Sequence, residues 1–167
     1  MKRISNRISL CATFAAATIS ASAQMMPNPY GMSINLDTAR KLADAAIAEA
    51  QKKGFKMAVA VTDTNGDLVY FEKMDSTQIA SAQVSIQKAA SATLYKRPTK
   101  KFQDALAAGG AGLRVLRLDR AVPVEGGLPL VSSDGKIIGA IGCSGDTSEN
   151  DGIVCQAGAD ALNPSKP

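Results

Sequence analysis

The chain has 167 residues, a length that favours a single domain, with a formal net charge of +4 and no histidine. The absence of histidine excludes the usual Ser-His-Asp and Cys-His catalytic arrangements and the most common haem ligand. No basic stripe interleaved with aromatic residues is present, so the charge gives no support to a nucleic-acid partner.

Residues 1–23 have the pattern of a secretory signal peptide. A basic segment over residues 2–7 precedes a mostly apolar stretch, 8–19, that is too short to span a bilayer. The small residues of 21–23 then form a cleavage motif, which predicts a periplasmic or secreted protein that begins at Gln24. A short N-terminal core helix is the alternative. Cleavage would remove three basic residues and lower the net charge to +1, and no transmembrane segment follows.

The next part of the chain predicts a helix followed by a β-hairpin. Residues 24–33 contain two prolines and no clear hydrophobic period, which predicts a leader arm. Asp37 can cap the helix and Gly54 can end it. Apolar runs at 56–62 and 68–72 flank an Asn-Gly turn and predict the hairpin. The apolar face of the helix consists of Ala39, Leu42, Ala43, Ala46, Ile47 and Ala50.

A second helix, which Asp75 or Ser76 can cap, follows the hairpin. Lys88 lies among its small and apolar positions, where a lysine either extends its ammonium to water or reaches a ligand. Thr99 can cap a short third helix, and the apolar segment 113–118 predicts an edge strand. The predicted buried side of the second helix consists of Ile79, Ala82, Ile86, Ala89, Ala90 and Thr93.

A second hairpin organises the C-terminal part of the chain. Strands at 128–131 and 136–142 flank an Asp134-Gly135 turn. The residues before the first strand and after the second meet at one end of an antiparallel hairpin. We therefore expect the glycine-containing loops 125–127 and 144–146 to converge, and glycine there lets a ligand approach backbone amides.

A final helix beginning at Ser148 or Asn150 and running to about Leu162 completes the pattern. Helices and antiparallel hairpins in this order predict one α+β domain, in which helices flank the sheet. No GxGxxG sequence follows a strand, which argues against a dinucleotide-binding fold. The domain is expected over residues 34–163, with 164–167 as a tail.

Two cysteines, Cys143 and Cys155, remain after signal removal. An even count in an exported chain favours a disulfide. Metal ligation is disfavoured because two thiols without histidine make a poor zinc site, and two buried free thiols are the other alternative. The intervening loop contains glycine and polar residues, so it can fold back to bring the Cα atoms within roughly 4.4–6.8 Å.

Four sequence features together resemble one known family. They occur in a fixed order over about 34–162, and Asp151 follows the last of them. They are Lys73-Met74-Asp75, Ser85-Ile86-x-Lys88-Ala89, Pro123-x-x-Gly126-Gly127-x-Pro129-Leu130 and Gly139-Ala140-Ile141-Gly142-x-Ser144-Gly145. The chain thereby resembles the GlcG/HbpS-like haem-binding family, which includes the C-terminal domain of PduO-type proteins. The resemblance implies a profilin- or PAS-like sandwich, homo-oligomers, and haem- or corrinoid-associated functions.

The candidate ligand-binding residues lie in the two converging loops, on the second helix and at the end of the first hairpin. The loops can hold a carboxylate on backbone amides, or their residues can serve only turn and capping chemistry. Lys73 and Lys88 can supply the counter-charge, and Met74 can act as a soft haem ligand or as a packing residue. The full set is Lys73, Met74, Lys88, Glu125, Gly126, Gly127, Ser144, Gly145 and Asp146.

Two functions are compatible with these observations. The first is an exported protein that binds haem or a related tetrapyrrole by hydrophobic capture in a large apolar pocket or an inter-subunit groove. The second is an enzyme acting on a small carboxylated metabolite in a compact polar pocket with Lys88 at its wall. The sequence contains no recognisable nucleophile–base pair and no metal-ligand cluster, which favours the binding of a small molecule over catalysis.

Overall fold

Two β-hairpins join into one antiparallel sheet that helices cover on both faces. The structure, a computed structural model, describes residues 28–163. Its elements are α1 (Leu36–Lys53), β1 (Ala58–Thr62), β2 (Leu68–Lys73), α2 (Ser81–Tyr95), α3 (Lys100–Ala107), a 3₁₀ helix (Gly110–Arg117), β3 (Gly127–Val131), β4 (Ile137–Ser144) and α4 (Ser148–Asp160). The strand order is β2-β1-β4-β3. The predicted α+β class and both hairpins are confirmed, with strand ends within two residues of the expected positions.

The first face of the sheet carries the main apolar core. Side chains alternate along a strand, so Val59 and Val61 of β1 and Ile141 of β4 point to the same face. Helices α1 and α4 pack together over this face, and Leu42 and Val154 are fully buried there. The predicted apolar face of α1 is confirmed, since all six of its residues are buried.

Helix α2 lies close against the second face because the residues between them are small. Gly142 of β4 is one such residue, since a Cβ there would lie 3.0 Å from the Ala89 Cβ. Polar side chains meet across the same interface, where the hydroxyls of Thr62 and Thr93 are 3.0 Å apart. This layer therefore depends on close approach of backbone rather than on large side chains.

The predicted buried side of α2 is wrong in part. Ser81, Ser85 and Lys88 are buried against the sheet. Ile79 is 89 % exposed, and Ile86 is only half-buried. Small residues of β1 and β4 bring the α2 backbone close to the sheet, so the helix turns Ser81, Ser85 and small apolar residues inward, together with Lys88.

Three further boundaries differ from the sequence-based expectation. Asn35 rather than Asp37 caps α1, because its side-chain oxygen accepts the Thr38 N–H at 2.8 Å. Helix α2 begins at Ser81, since Ser76 has a left-handed φ of 65° that ends regular structure there. The expected edge strand at 113–118 is wrong: this segment belongs to the 3₁₀ helix, which packs on α3.

The described part of the leader arm pairs with the start of β4. Gly31 N–H donates to the Ile137 carbonyl at 2.8 Å, and Ile137 N–H donates to the Pro29 carbonyl at 2.9 Å. The predicted signal peptide and the tail 164–167 lie outside the described residues. Within 28–163, no helix is long and apolar enough to cross a membrane.

Candidate functional site

The two glycine loops meet at one end of the sheet, as the hairpin topology predicts. Gly127 pairs with Gly142 across β3 and β4, and Cys143 N–H donates to the Gly126 carbonyl at 2.8 Å. Lys73 reaches the same end from β2, because Ala58 of β1 pairs with both Lys73 and Ser144. The predicted site residues therefore share one sheet end but come from the ends of β2, β3 and β4 and from α2.

The glycines of these loops pack against the protein's own backbone. A Cβ on Gly127 would lie 2.9 Å from the Lys88 carbonyl carbon, and one on Gly145 would lie 2.9 Å from Met57 Cα. The Gly127 N–H donates to Thr99 Oγ1 at 2.9 Å, so Thr99 serves this loop and makes no side-chain cap of α3. The Gly127 amide is consequently not free to bind a ligand.

Lys88 forms a buried ion pair with Asp151 of α4. Its Nζ donates to Asp151 Oδ2 at 2.7 Å and to the Cys143 carbonyl at 3.2 Å, and its side chain is 1 % exposed. The expectation that the ammonium extends to water is therefore wrong, and Lys88 lines none of the clefts described below. A Cβ on Gly126, whose φ is 115°, would lie 3.0 Å from Nζ. Glycine at 126 thus allows the loop to cover the ion pair.

Asp151 connects this ion pair to the second loop. Its Oδ1 accepts the Asp146 N–H at 3.1 Å. Burial raises the pKa of Asp151 from its ordinary value, while the hydrogen bond and charge of Lys88 oppose that rise. Sequence reasoning noted Asp151 in the family pattern but did not pair it with Lys88. No local signal links two residues 63 positions apart on different helices.

Cys143 and Cys155 lie beside the ion pair, on the α4 side of the sheet. Their sulfur atoms are in contact and their Cα atoms are 5.5 Å apart, within the range that a disulfide requires. The Cys155 sulfur also lies 3.0 Å from the Gly126 carbonyl oxygen. This geometry is compatible with the predicted disulfide, which would fix α4 to the end of β4.

The remaining loop residues have mixed surroundings. The buried Ser144 hydroxyl donates to Ser81 Oγ at 3.3 Å. Asp146 is exposed, and hydrogen bonds from the Asn150 side chain and the Thr147 amide lower its carboxyl pKa. The local contacts of Asp146 favour its turn and capping interpretation, whereas Ser144 connects the end of β4 to the start of α2. Glu125 is half-buried beside Lys100, with 4.0 Å between their charged atoms.

Three surface clefts lie near these elements. One of about 230 Å³ contains Glu125, Gly126 and Gly127, and another of about 420 Å³ contains Lys73 and Met74. The structure therefore does not bring all the predicted site residues into one pocket. A third cleft of about 410 Å³ lies between the outer face of α2 and the segment 120–122. Sequence reasoning missed this cleft because it assigned Ile86 to the core.

The described residues fit an apolar, anionic ligand better than an iron centre. The chain has no histidine, and Met74 Sδ accepts the Met57 N–H at 3.4 Å. Met57 is fully buried, and the two described cysteines contact one another. No group of three or more His, Cys, Asp or Glu residues that could hold a metal ion occurs within residues 28–163. No histidine is therefore available to the iron of haem, and contacts to the porphyrin and its propionates would have to supply more of the binding.

Comparisons with known proteins agree on one family. A family model described as "Haem degrading protein HbpS-like" matches residues 34–160. A protein of Citrobacter freundii named "Uncharacterized 15.0 kDa protein in dhaT-dhaS intergenic region" is 32% identical over 132 residues, which cover 78% of this chain and 92% of the relative. Protein GlcG of Escherichia coli K12 is 36% identical over 109 residues, or 63% of this chain and 79% of GlcG.

Solved structures give the same result. Protein ORFY of Klebsiella pneumoniae has a TM-score of 0.73 at 28% identity, covering 85% of this chain and 99% of ORFY. A structure titled "PduOC:Heme Complex" has a TM-score of 0.70 at 25% identity, covering 79% of this chain and 96% of that one. A double mutant of HbpS from Streptomyces reticuli has a TM-score of 0.72 at 27% identity, covering 89% of this chain and 99% of that one.

Removing one partner of the Lys88–Asp151 pair should destabilise the protein by about 3–5 kcal/mol, because the other charge stays buried without compensation. Lys88→Met tests this in urea unfolding between pH 4 and pH 8. Loss of the ammonium raises the pKa of Asp151 further, so the neutral carboxyl is retained at low pH. The destabilisation relative to the wild type should therefore be smallest near pH 4 and grow as the pH rises.

The exposed pair of Lys100 and Asp104 supplies the control. Lys100→Met removes an ion pair whose side chains are half exposed, so the urea midpoint should barely change. Equal urea midpoints for Lys88→Met and the wild type across this pH range would contradict the assignment of a buried ion pair.

The disulfide prediction is tested by counting thiols in denatured, non-reduced mature protein. We expect no free thiol, and reduction should cost about 3 kcal/mol of stability in the chain-entropy model for so short a loop. Protein from an oxidising compartment that gives two free thiols per chain would establish the alternative of two buried cysteines.

Proposed function

This chain belongs to the HbpS-like family, and we propose that it is an exported protein that binds haem or a related tetrapyrrole. The observation that carries the proposal is its likeness to the PduO domain whose structure is titled a haem complex, nearly all of which it covers. The family description, which names haem, supports the same ligand class.

Tetrapyrrole binding here would depend on apolar contact and on cations rather than on a histidine. A porphyrin offers a flat apolar ring and two propionates, and a half-buried isoleucine and an exposed arginine at the α2 cleft match those two parts. The protein would thus contribute an apolar surface for the ring and a positive charge for a propionate. We propose no chemical step at the iron.

The alternative of an enzyme acting on a small carboxylated metabolite has less support. That function requires Lys88 at the wall of the loop pocket, but Lys88 is enclosed by the Gly126 loop and paired with Asp151. Lys100, which does line the loop cleft, donates to Asp104 at 2.7 Å. The exposed Lys101 also lines this cleft, so the alternative loses support mainly because Lys88 is enclosed.

Export and self-association complete the proposal. The basic, apolar and small-residue segments of 1–23 support signal cleavage, and a cysteine pair supports an oxidising compartment. Self-association is supported by exposed apolar side chains on the 3₁₀ helix, where Leu113 is 52 % and Leu116 is 64 % exposed.

Titration of the purified mature protein with hemin and with metal-free protoporphyrin IX tests the proposed ligand. We expect saturable binding of both, with affinities within about tenfold of each other, because the porphyrin contacts rather than the iron would dominate. Soret absorbance reports hemin and fluorescence reports protoporphyrin. If neither ligand binds at micromolar concentration, the proposed function is wrong. Tight binding of hemin alone would instead show iron ligation.

Intact-mass analysis of the protein from the periplasmic or secreted fraction tests export. We expect a chain that begins at Gln24, because signal peptidase cleaves after small-x-small motifs such as 21–23. Recovery of a chain that begins at Met1 from the cytoplasm would contradict the proposed localisation.

A further inference from the structure

The outer face of α2 carries apolar side chains that the described part of the domain leaves partly uncovered. On α2, Ile86 is half-buried while Ser81 and Ser85 face the core, and Ile79, which lies just before the helix, is 89 % exposed. Amphipathic helices normally place their apolar side against the core. In α2 this arrangement is partly reversed, which indicates that the outer apolar residues meet something other than the sheet.

This face forms one wall of the cleft of about 410 Å³. The opposite wall is the segment 120–122, so Ile86 and Val122 line the cleft together. Two α2 amides, Gln83 and Gln87, are exposed beside them. The lining contains no acidic side chain and one cation, Arg120, so its charge is complementary to a carboxylate.

The segment that carries Arg120 is held firmly against α2. The Tyr95 hydroxyl donates to the Asp119 carbonyl, and the Val122 N–H donates to Ser91 Oγ at 3.0 Å. Both contacts come from α2, so the two walls of the cleft are tied to the same helix. A site built on rigid elements keeps its groups in place before the ligand arrives.

Arg120 itself is unusual in two respects. Its φ of 59° lies in the left-handed region, which a long side chain rarely adopts and which costs free energy. Its guanidinium makes one long hydrogen bond, 3.4 Å from Nη2 to the Gly66 carbonyl, and the residue is exposed. An arginine has five N–H donors, so most of them remain available to a ligand.

We propose that the cleft between α2 and the segment 120–122 binds an amphipathic carboxylate, with its apolar body on Ile86 and Val122 and its carboxylate on Arg120. The inference rests on the proposed function when the ligand is a tetrapyrrole, whose propionate would meet Arg120. The cleft volume lies within the range of about 300–1,000 Å³ that is usual for small-molecule sites.

Protoporphyrin IX fluorescence titrations of the full mature protein test this site. Arg120→Asn removes the positive charge, and asparagine tolerates the left-handed φ at this position, so the fold should persist. We expect about tenfold weaker binding, because a charge-assisted hydrogen bond is lost. Arg120→Lys should stay within about threefold of the wild type. The dimethyl ester, which lacks the carboxylates, should bind the wild type and Arg120→Asn with equal affinity.

Two controls separate this cleft from the rest of the surface. Arg114→Asn removes an exposed arginine of the 3₁₀ helix, outside the cleft, and should leave affinity unchanged. Lys101→Asn removes a lysine that lines the glycine-loop cleft. If Lys101→Asn weakens binding and Arg120→Asn does not, the tetrapyrrole function stands and the α2 site is wrong.

Ile86→Gln distinguishes a ligand site from a subunit interface. We expect it to weaken protoporphyrin binding about tenfold while the mass from light scattering stays that of the wild type. Dissociation of an oligomer with unchanged porphyrin affinity would overturn the inference, because α2 would then face a second copy of the chain.

If the wild type binds no porphyrin, the proposed function fails and the cleft is tested with 8-anilinonaphthalene-1-sulfonate, another amphipathic anion. Weaker dye binding in both Arg120→Asn and Ile86→Gln, but not in Arg114→Asn, would support the cleft. Equal dye binding by all four proteins would overturn it.

Discussion

The buried ion pair between Lys88 and Asp151 is the interaction on which the rest of the domain depends. It joins α2 on one face of the sheet to α4 on the other, past the end of the β3–β4 hairpin. Enclosing two charges is costly unless every remaining polar group is bonded. The Cys143 carbonyl accepts a second hydrogen bond from Lys88, and the Asp146 amide donates to the other carboxylate oxygen of Asp151. Because these partners come from both ends of one loop, the pair fixes the backbone around residues 143–146 as well as the two helices.

The ion pair also restricts which residues can surround it. Gly126 must lack a side chain, because a Cβ there would clash with both Lys88 Nζ and Asp151 Cβ. Gly142 must lack one so that α2 can approach β4. Apart from Lys88, the α2 side chains buried against the sheet are small, and Ile86 lies on the opposite side. The outer cleft is thus a consequence of how the core is built.

Local patterns in the sequence predicted most of the fold. The Asn-Gly and Asp-Gly turns placed both hairpins, and the spacing of Leu42, Ala46 and Ala50 placed α1, because these signals act over a few residues. Hydrophobic periodicity failed for α2. It assigns Ile86 to the core, but the helix places smaller residues and Lys88 against the sheet instead. The pairing of Lys88 with Asp151 could not be predicted, since it depends on two helices meeting around a sheet.

The convergence of the loops was predictable from hairpin topology, but their role in binding does not follow from it. At the loop end of the sheet, the Lys88 ammonium and the Gly127 amide already donate hydrogen bonds to Asp151 and Thr99. No buried side-chain nitrogen or oxygen within residues 28–163 lacks a hydrogen-bond partner. A ligand gains little from groups whose bonds it must first break. Exposed donors that are not fully used, such as those of Arg120, would meet a carboxylate without that cost, so at the loop end only exposed side chains such as Lys101, and not Lys88 or the Gly127 amide, are comparable to it.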